Sequence, residues 1–457
     1  MVEHADVVVI GMGVGGEEVA GRLAEAGLDV VGVERELVGG ECPYWACIPS
    51  KMMIRAANLL AEARRISGMA GTSAVRPDWG PVATRIRKEA TDDWDDTVAV
   101  DRFVERGGRF VRGEARLAGP GRVDVAGQVV EVSKGVVVAT GTVPAVPPIP
   151  GLQGTPYWTN RQAVSAEAPP RSLLVLGGGA VGVELAQVFG RFGSAVTIVE
   201  ALDRLLPQEE PESGALLADV FGREGIKVEA AARADGVAYD EGEGFAVTLA
   251  DGRTLQAERL LVATGRRAEL ASLGLASAGI DDTGRWLSVD GRLRAAPGVW
   301  AIGDVTGAGL FTHVAMYQAD IAAADILGAD PKPADYRAIP RATFSDPEVG
   351  GVGLTARAAE ERGIRVRVGV SQVPSSARGW IHKAGNEGFI KLVEDADRAV
   401  LVGATSVGPV GGEVLSMLTL AVHAEIPTAE LRRMIYAYPT FHRAVEGALE
   451  DLASSPD

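Results

Sequence analysis

The chain opens on a short continuous apolar run, Asp6 to Ile10. A glycine turn follows, Gly11-Met12-Gly13-Val14-Gly15-Gly16, then a helical stretch to Ala26 and a turn at Gly27. A second apolar run, Asp29 to Val33, ends at Glu34. Unbroken apolar runs of this length, alternating with helical stretches, predict parallel strands buried on both faces. The same order returns later. Leu173 to Leu176 is apolar, glycines stand at 177, 179 and 182, and Ala195 to Val199 leads into Glu200.

The two stretches agree in register. Ala20 and Ala186 each lie four residues after the third glycine, and Gly27 and Gly193 each lie seven further on. Glu34 and Glu200 each lie 23 residues after the first glycine. Each stretch also closes on a buried strand, Gly135 to Ala139 into Ala139-Thr140-Gly141, and Leu260 to Ala263 into Thr264-Gly265-Arg266. A lone GxGxxG is weak evidence, arising about once by chance in so glycine-rich a chain. Two copies in register, each with its acid, point to two dinucleotide sites. Such a turn lets backbone approach a pyrophosphate at a helix N-terminus, and the acid takes ribose hydroxyls.

The remaining pattern predicts helices over Lys51 to Met69 and Thr84 to Arg106. The acidic group Asp92, Asp93, Asp95 and Asp96 forms a solvated face of the second. Short strands are expected from Arg109 to Val132. Val299 to Ile302 reads as a strand ending in Gly303-Asp304, and Val314 to Leu327 as a helix. Asp304 is either a ligand of sugar-like hydroxyls or a plain N-cap. Proline clusters at Pro144 to Pro150 and Pro331 to Pro333 mark boundaries. The expected class is α/β, with two Rossmann-like domains and a C-terminal α+β domain. Residues 1–150 and a returning 271–335 form the first nucleotide domain, 151–270 the second. Residues 336–457 carry strands at 366–370, 388–393 and 400–406, with helices at 412–423, 428–434 and 442–452, and no nucleotide motif.

Among the 457 residues, Lys and Arg number 45 and Asp and Glu 61, a net charge of −16 that repels nucleic acid. No apolar run has membrane-span length, and the start, Met1 to Asp6, lacks a basic flank and a long apolar core. A cytoplasmic location is expected, where a structural disulfide is out of place. Yet both cysteines, Cys42 and Cys47, stand in one stretch from Gly39 to Lys51. They are a working redox pair or incidental thiols. The five histidines form no metal-ligand cluster, so no metal is expected.

Taken together, the motifs resemble the two-dinucleotide-fold flavoprotein disulfide reductases, which include dihydrolipoamide dehydrogenase, glutathione reductase and mercuric reductase. The resemblance rests on Gly11 to Glu34, Cys42 to Lys51, Gly177 to Glu184, Ala301 to Asp304 and Phe344 to Gly350. It implies FAD on Gly11, Gly13, Gly16, Glu34, Gly40, Lys51, Ala139, Thr140, Gly141, Gly303 and Asp304. It implies a nicotinamide cofactor on Gly177, Gly179, Gly182, Glu200 and Gly265. The acid at 200 favours NADH over NADPH, and nearby Arg204 softens that choice. Lys51 and Glu184 match the ion pair placed beside the flavin. Cys47 becomes the thiolate near the flavin and Cys42 the thiol that attacks a substrate disulfide. The last domain implies a homodimer with active sites shared across subunits.

The chain departs from this pattern at two places. Glu41 precedes Cys42 where the family has Thr, and Pro43-Tyr44-Trp45-Ala46 fills the loop. Near the C-terminus the family carries a His-Pro, with a Glu five residues after the His, as general base. Here Tyr438 takes the His position and Arg443 the Glu position. Phenols ionise near pH ~10, so a tyrosine there serves as a hydrogen-bond or proton donor and not as a base. His442 is the alternative proton carrier. The expected activity is reduction of a small disulfide, or the reverse oxidation of a dithiol. Two alternatives are a flavin-mediated quinone or acceptor reductase that does not need the thiols, and a redox-sensing or complex-docking subunit.

Overall fold

The computed structural model describes residues 4–454. The chain forms two compact units: Met1–Pro49, Thr84–Ala145 and Gly265–Tyr336 make the first, and Ser50–Ala83, Val146–Thr264 and Arg337–Asp457 the second.

In the first unit, His4–Ile10 lies at the centre of a sheet, paired in parallel with Val30–Glu34 on one side and Gln128–Val138 on the other. Arg109–Arg112 extends the sheet beyond Val30–Glu34, and Val299–Ala301 joins it beside Gln128–Val138. Val7, Val8 and Val9 are fully buried. Alternation along the strand sends Val7 and Val9 to one face and Val8 and Ile10 to the other. Val7 and Val9 pack with Val19, Leu23, Ala319 and Ala322 from two helices, Val14–Glu25 and Thr312–Ile326. Val8 and Ile10 pack with Val123, Val130, Leu275 and Leu287. Two-sided burial is why the strand reads as an unbroken apolar run.

The second unit holds a parallel sheet of Lys227–Glu229, Ala195–Val199, Ser172–Leu176 and Arg259–Val262, in that order. A three-stranded antiparallel meander, Ala234–Asp240, Gly244–Leu249 and Thr254–Ala257, shares a core with it through Leu174, Leu176, Phe245 and Val247. The same unit contains a five-stranded antiparallel sheet ordered Pro340–Thr343, Glu348–Gly353, Val400–Gly408, Phe389–Asp395 and Val366–Gln372. Leu392 and Leu401 of that sheet pack with Leu415, Leu418, Val445 and Leu449 of two helices, Gly411–His423 and Ala444–Ser454.

Two helix expectations need correction. The helix expected to start at Lys51 starts at Cys47 and ends at Arg64. Residues 50–83 belong to the second compact unit. The single helix expected from Thr84 to Arg106 is broken. A helix at Gly80–Arg85 runs into a π-helical turn at Ile86–Ala90, and a new helix starts at Thr97. Between them Asp92, Asp93 and Trp94 all take positive φ, at 47°, 55° and 59°. The acidic cluster is therefore no helix face. Asp96 is buried and its carboxylate accepts from Val38 N at 2.6 Å and Arg112 Nη2 at 2.5 Å.

No helix among the described residues is long and apolar enough to cross a membrane.

Candidate active site

The first glycine turn is built by contact. A Cβ on Gly11 would meet Ala139 O at 2.6 Å, and one on Gly16 would meet Gly11 O at 2.0 Å. A Cβ on Gly13 would meet nothing within 4 Å. Two glycines thus close the turn and the third leaves open space before the helix Val14–Glu25, which has no side-chain cap. Its first N–H groups are available to an anion. The second turn repeats this. Cβ atoms on Gly177 and Gly182 would meet Ala263 O at 2.4 Å and Gly177 O at 2.0 Å, while Gly179 faces open space.

The two acids also repeat. Glu34 accepts from Met12 N and Glu36 N, both at 2.8 Å. Glu200 accepts from Gly178 N at 2.6 Å and Leu202 N at 2.7 Å. Each carboxylate is fixed by the backbone of its own turn, with lone pairs left for ribose hydroxyls. Arg204 turns elsewhere: its guanidinium pairs with Asp203 Oδ1 at 3.1 Å and donates to Pro207 O at 3.0 Å.

The cysteine stretch starts against the first turn. Gly39 N donates to Met12 O at 2.7 Å. A Cβ on Gly40, at φ +68°, would meet Gly13 Cα at 2.9 Å. Glu41–Tyr44 is one helical turn carrying Cys42. Cys47 is the first residue of the 18-residue helix Cys47–Arg64. Its Sγ lies 3.5 Å from Thr312 Oγ1, and Thr312 is itself the first residue of a 15-residue helix. One sulfur thus stands at two helix N-termini, which favour its anionic form.

Asp304 caps no long helix; it lies in a short turn, Gly303–Thr306. Its Oδ2 accepts from Thr142 Oγ1 at 3.1 Å, and Arg266 donates to Thr142 Oγ1 and Thr142 O, both at 2.7 Å. Arg266 also pairs with Glu41 at 3.5 Å. Burial pushes the Asp304 carboxyl above the ordinary carboxylate range, against the pull of Arg266 and Thr142. Ala139 N donates to Ile10 O at 2.8 Å, and Gly265 O accepts from Ala145 N at 2.9 Å. Thr140 Cα stands 2.9 Å from the Cβ position of Gly11, and Gly141 is left-handed at φ 63°.

In the second unit, Lys51 Nζ lies 2.8 Å from Glu184 Oε2. Glu184 is buried, and its Oε1 accepts from Phe344 N at 2.8 Å. Lys51 Nζ also stands 4.7 Å from the centre of the Phe344 ring. Tyr438 is 71% exposed, and the Arg443 guanidinium lies 5.4 Å from its ring centre. His442 Nε2 is 3.4 Å from Thr440 Oγ1. The described residues contain no group of three or more His, Cys, Asp and Glu placed to hold a metal ion.

Sequence reasoning passed over Thr142, Thr312 and Phe344, and gave Arg266 no role. Arg266 had a signal, since it follows Thr264-Gly265. Thr312 had none, because it lies 265 residues from the cysteine it touches.

Residues 5–319 match the family model for pyridine nucleotide-disulphide oxidoreductases, and residues 339–449 match that family's dimerisation domain. A dihydrolipoyl dehydrogenase of Chlorobaculum tepidum is 36% identical over 461 residues, covering 98% of this chain and 97% of the relative. Among solved structures, LpdA of Mycobacterium tuberculosis superposes with a TM-score of 0.86 at 26% identity, covering 99% of this chain and 100% of that one. The HOCl-induced flavoprotein disulfide reductase RclA of Escherichia coli superposes with a TM-score of 0.85, also at 26% identity, with coverage of 99% and 100%.

Proposed function

Because the chain belongs to the pyridine nucleotide-disulphide oxidoreductases, and is thus an NAD(P)H-dependent, FAD-containing disulfide oxidoreductase, we propose that it reduces a small disulfide, or oxidises the corresponding dithiol, through Cys42 and Cys47. The observation that carries this is the sulfur of Cys47 at two helix N-termini, 3.5 Å from Thr312 Oγ1. FAD supplies two-electron exchange between a hydride donor and the sulfur pair. The chain suits it: an uncapped helix N-terminus behind open space at Gly13 for a pyrophosphate, Glu34 for ribose, and Asp304 for a hydroxyl chain.

In the reducing direction the Cys42 thiolate attacks one sulfur of the substrate, and the substrate S–S bond breaks. The departing thiolate takes a proton. The Cys47 thiolate then attacks Cys42 in the mixed disulfide, re-forming Cys42–Cys47 and releasing the second substrate sulfur as a thiolate, which also takes a proton. The substrate gains the two electrons that the cysteine pair loses, and its two protons are those released when the Cys42 and Cys47 thiols became thiolates. Lys51 follows Cys47 by four residues on one helix, one turn on, and supplies a fixed positive charge.

For the proton step we propose Tyr438 from a partner subunit as donor, with His442 as the second candidate. This departs from the base usual in the family and argues against ordinary dihydrolipoamide as substrate. Glu200, fixed at both oxygens, with Arg204 turned to Asp203 and Pro207, supports NADH as the electron donor. A reducing, cytoplasmic compartment suits an exchanging pair.

The test is anaerobic titration of the FAD-loaded dimer with NADH, followed by thiol alkylation. The proposal expects both cysteines to become alkylatable and a long-wavelength absorption band that is lost in Cys47→Ser. Full quinone turnover by a Cys42→Ser variant, with no added thiol on NADH treatment, would favour the acceptor-reductase reading instead. The exposed Tyr438–Arg443 pair is the feature that keeps that second reading open.

A further inference from the structure

Lys51 is the first of three polar side chains spaced by seven residues, Lys51, Asn58 and Arg65. Glu184 and Arg191 have the same spacing on the helix Ala180–Arg191. Seven residues make about two helical turns, so each set keeps to one side, with Arg65 just past the helix end and its N–H still bonded to Ala61 O. The two faces meet in register. Lys51 pairs with Glu184 at 2.8 Å, and Arg191 Nη1 donates to Asn58 Oδ1 at 2.6 Å. Arg65 Nη2 and Arg191 Nη2 both donate to Asp346 Oδ2, at 2.8 Å and 2.7 Å. Arg64 Nη2 adds a bond to Arg191 O at 3.0 Å. Both helices run the same way along this seam.

A seam of this spacing between parallel helices is ordinarily apolar. Here Glu184, Gln187, Arg191 and Asp346 are at most 9% exposed and all polar. Charge balances: Lys51, Arg65 and Arg191 face Glu184, Asp346 and Glu224, the last held by Arg191 at 2.5 Å and 3.0 Å.

The seam bears on Lys51 through both of its partners. Phe344 places its ring under Lys51 Nζ and its backbone N–H on Glu184. Phe344 lies two residues before Asp346, which the seam grips on three sides. Gln187 Nε2 donates to Asp346 O at 2.9 Å, Asp346 N donates to Gln187 Oε1 at 2.8 Å, and the two arginines hold the carboxylate. The lysine has a flexible stem and its side chain is 36% exposed. A lone pair at that exposure would be loose.

We infer that Asn58, Arg65, Arg191 and Asp346 are positioning residues for Lys51, setting where its charge sits by fixing Glu184 and Phe344. The inference rests on the reading of Lys51 as the cation that acts on the redox centre.

The test uses the FAD-loaded dimer and three single variants: Asn58→Leu, Arg65→Gln and Lys51→Met. The first two leave Arg191 paired with Glu224 and Asp346. Lys391→Met is the control, because it breaks a separate buried ion cluster with Glu210 and Glu212. The measurement is the equilibrium between the flavin and a reference dye, with melting temperature recorded alongside. Asn58→Leu and Arg65→Gln are expected to shift that equilibrium about three- to tenfold in the direction of Lys51→Met. Lys391→Met is expected to lower the melting temperature without the shift. In a Lys51→Met background, Asn58→Leu should add nothing.

Seam variants that shift the equilibrium no more than Lys391→Met, while Lys51→Met shifts it, would overturn the positioning role. Full additivity of Asn58→Leu with Lys51→Met would overturn it as well. No shift in Lys51→Met itself would overturn the reading of Lys51 on which the inference stands.

Discussion

Trp45 stacks on Trp94 with ring centres 5.4 Å apart and planes 23° apart. Trp45 lies between the two cysteines in the chain, and Trp94 closes the left-handed triplet Asp92–Trp94. Tyr44 OH also reaches Asp95 O at 3.4 Å. Two aromatics of the inter-cysteine loop are thus held from one irregular segment. An aromatic pair of this kind adds about 1 kcal/mol beyond its buried area. Trp94→Ala should lower stability by more than that amount, since the ring's buried area is lost as well, and speed alkylation of reduced Cys42 several-fold. Unchanged alkylation would mean that the stack does not restrain the loop. Asp93→Gly should raise stability by up to about 1 kcal/mol, because glycine takes positive φ without a Cβ clash.

Tyr438 and Arg443 are in contact, ring to guanidinium at 5.4 Å, and Tyr438 is the proposed proton donor. Tyr438→Phe keeps the ring and loses the hydroxyl. Reduction of the protein by NADH should be unaffected, and the disulfide half-reaction should slow about ten- to a hundredfold. Stopped-flow measurement of the two half-reactions separates them; equal loss in both would reduce Tyr438 to packing. The paired change Tyr438→His with Arg443→Glu should raise turnover of dihydrolipoamide.

Glu200 is 8% exposed and fixed by two backbone N–H groups. If Glu200 holds the cofactor ribose as proposed, a second negative charge there would be repelled. Glu200→Ala should therefore raise kcat/KM with NADPH relative to NADH by about tenfold or more. An unchanged ratio would show that this carboxylate does not select the cofactor.

Tyr436 is 4% exposed, and its OH donates to Leu431 O at 3.1 Å. Burial pushes its phenol from 10.0 up to about 12. The native state then keeps a proton that the unfolded chain loses, so this group's contribution to stability falls as pH rises from 10 toward 12. Tyr436→Phe should cost about 1 kcal/mol near neutrality and flatten the alkaline loss. Urea midpoints measured across that pH range test this. A parallel drop in variant and parent would exclude the group.

The nucleotide turns were legible because their constraints are local. Glycines at 11, 16, 177 and 182 are required by backbone atoms of the same motif or its closing strand. Glu34 and Glu200 bond the turns they were matched to by spacing alone. The acidic stretch at Asp92–Asp96 was misread because nothing in its own pattern shows that Val38 N and Arg112 draw Asp96 inward. Residues 50–83 join the second compact unit through distant partners. Asn58 and Arg65 find their partners at Arg191 and Asp346, more than a hundred residues away.

The duplicated glycine-turn unit and the place of the cysteine pair could be read from the chain alone. Those depend on spacing, which the chain carries directly. Only tertiary structure decided what surrounds the sulfur and the lysine. Thr312 at Cys47, Phe344 under Lys51, and the charge-balanced seam behind Glu184 are contacts between segments far apart in the chain. A buried charge is stable only where distant partners converge on it, and that convergence is a property of packing.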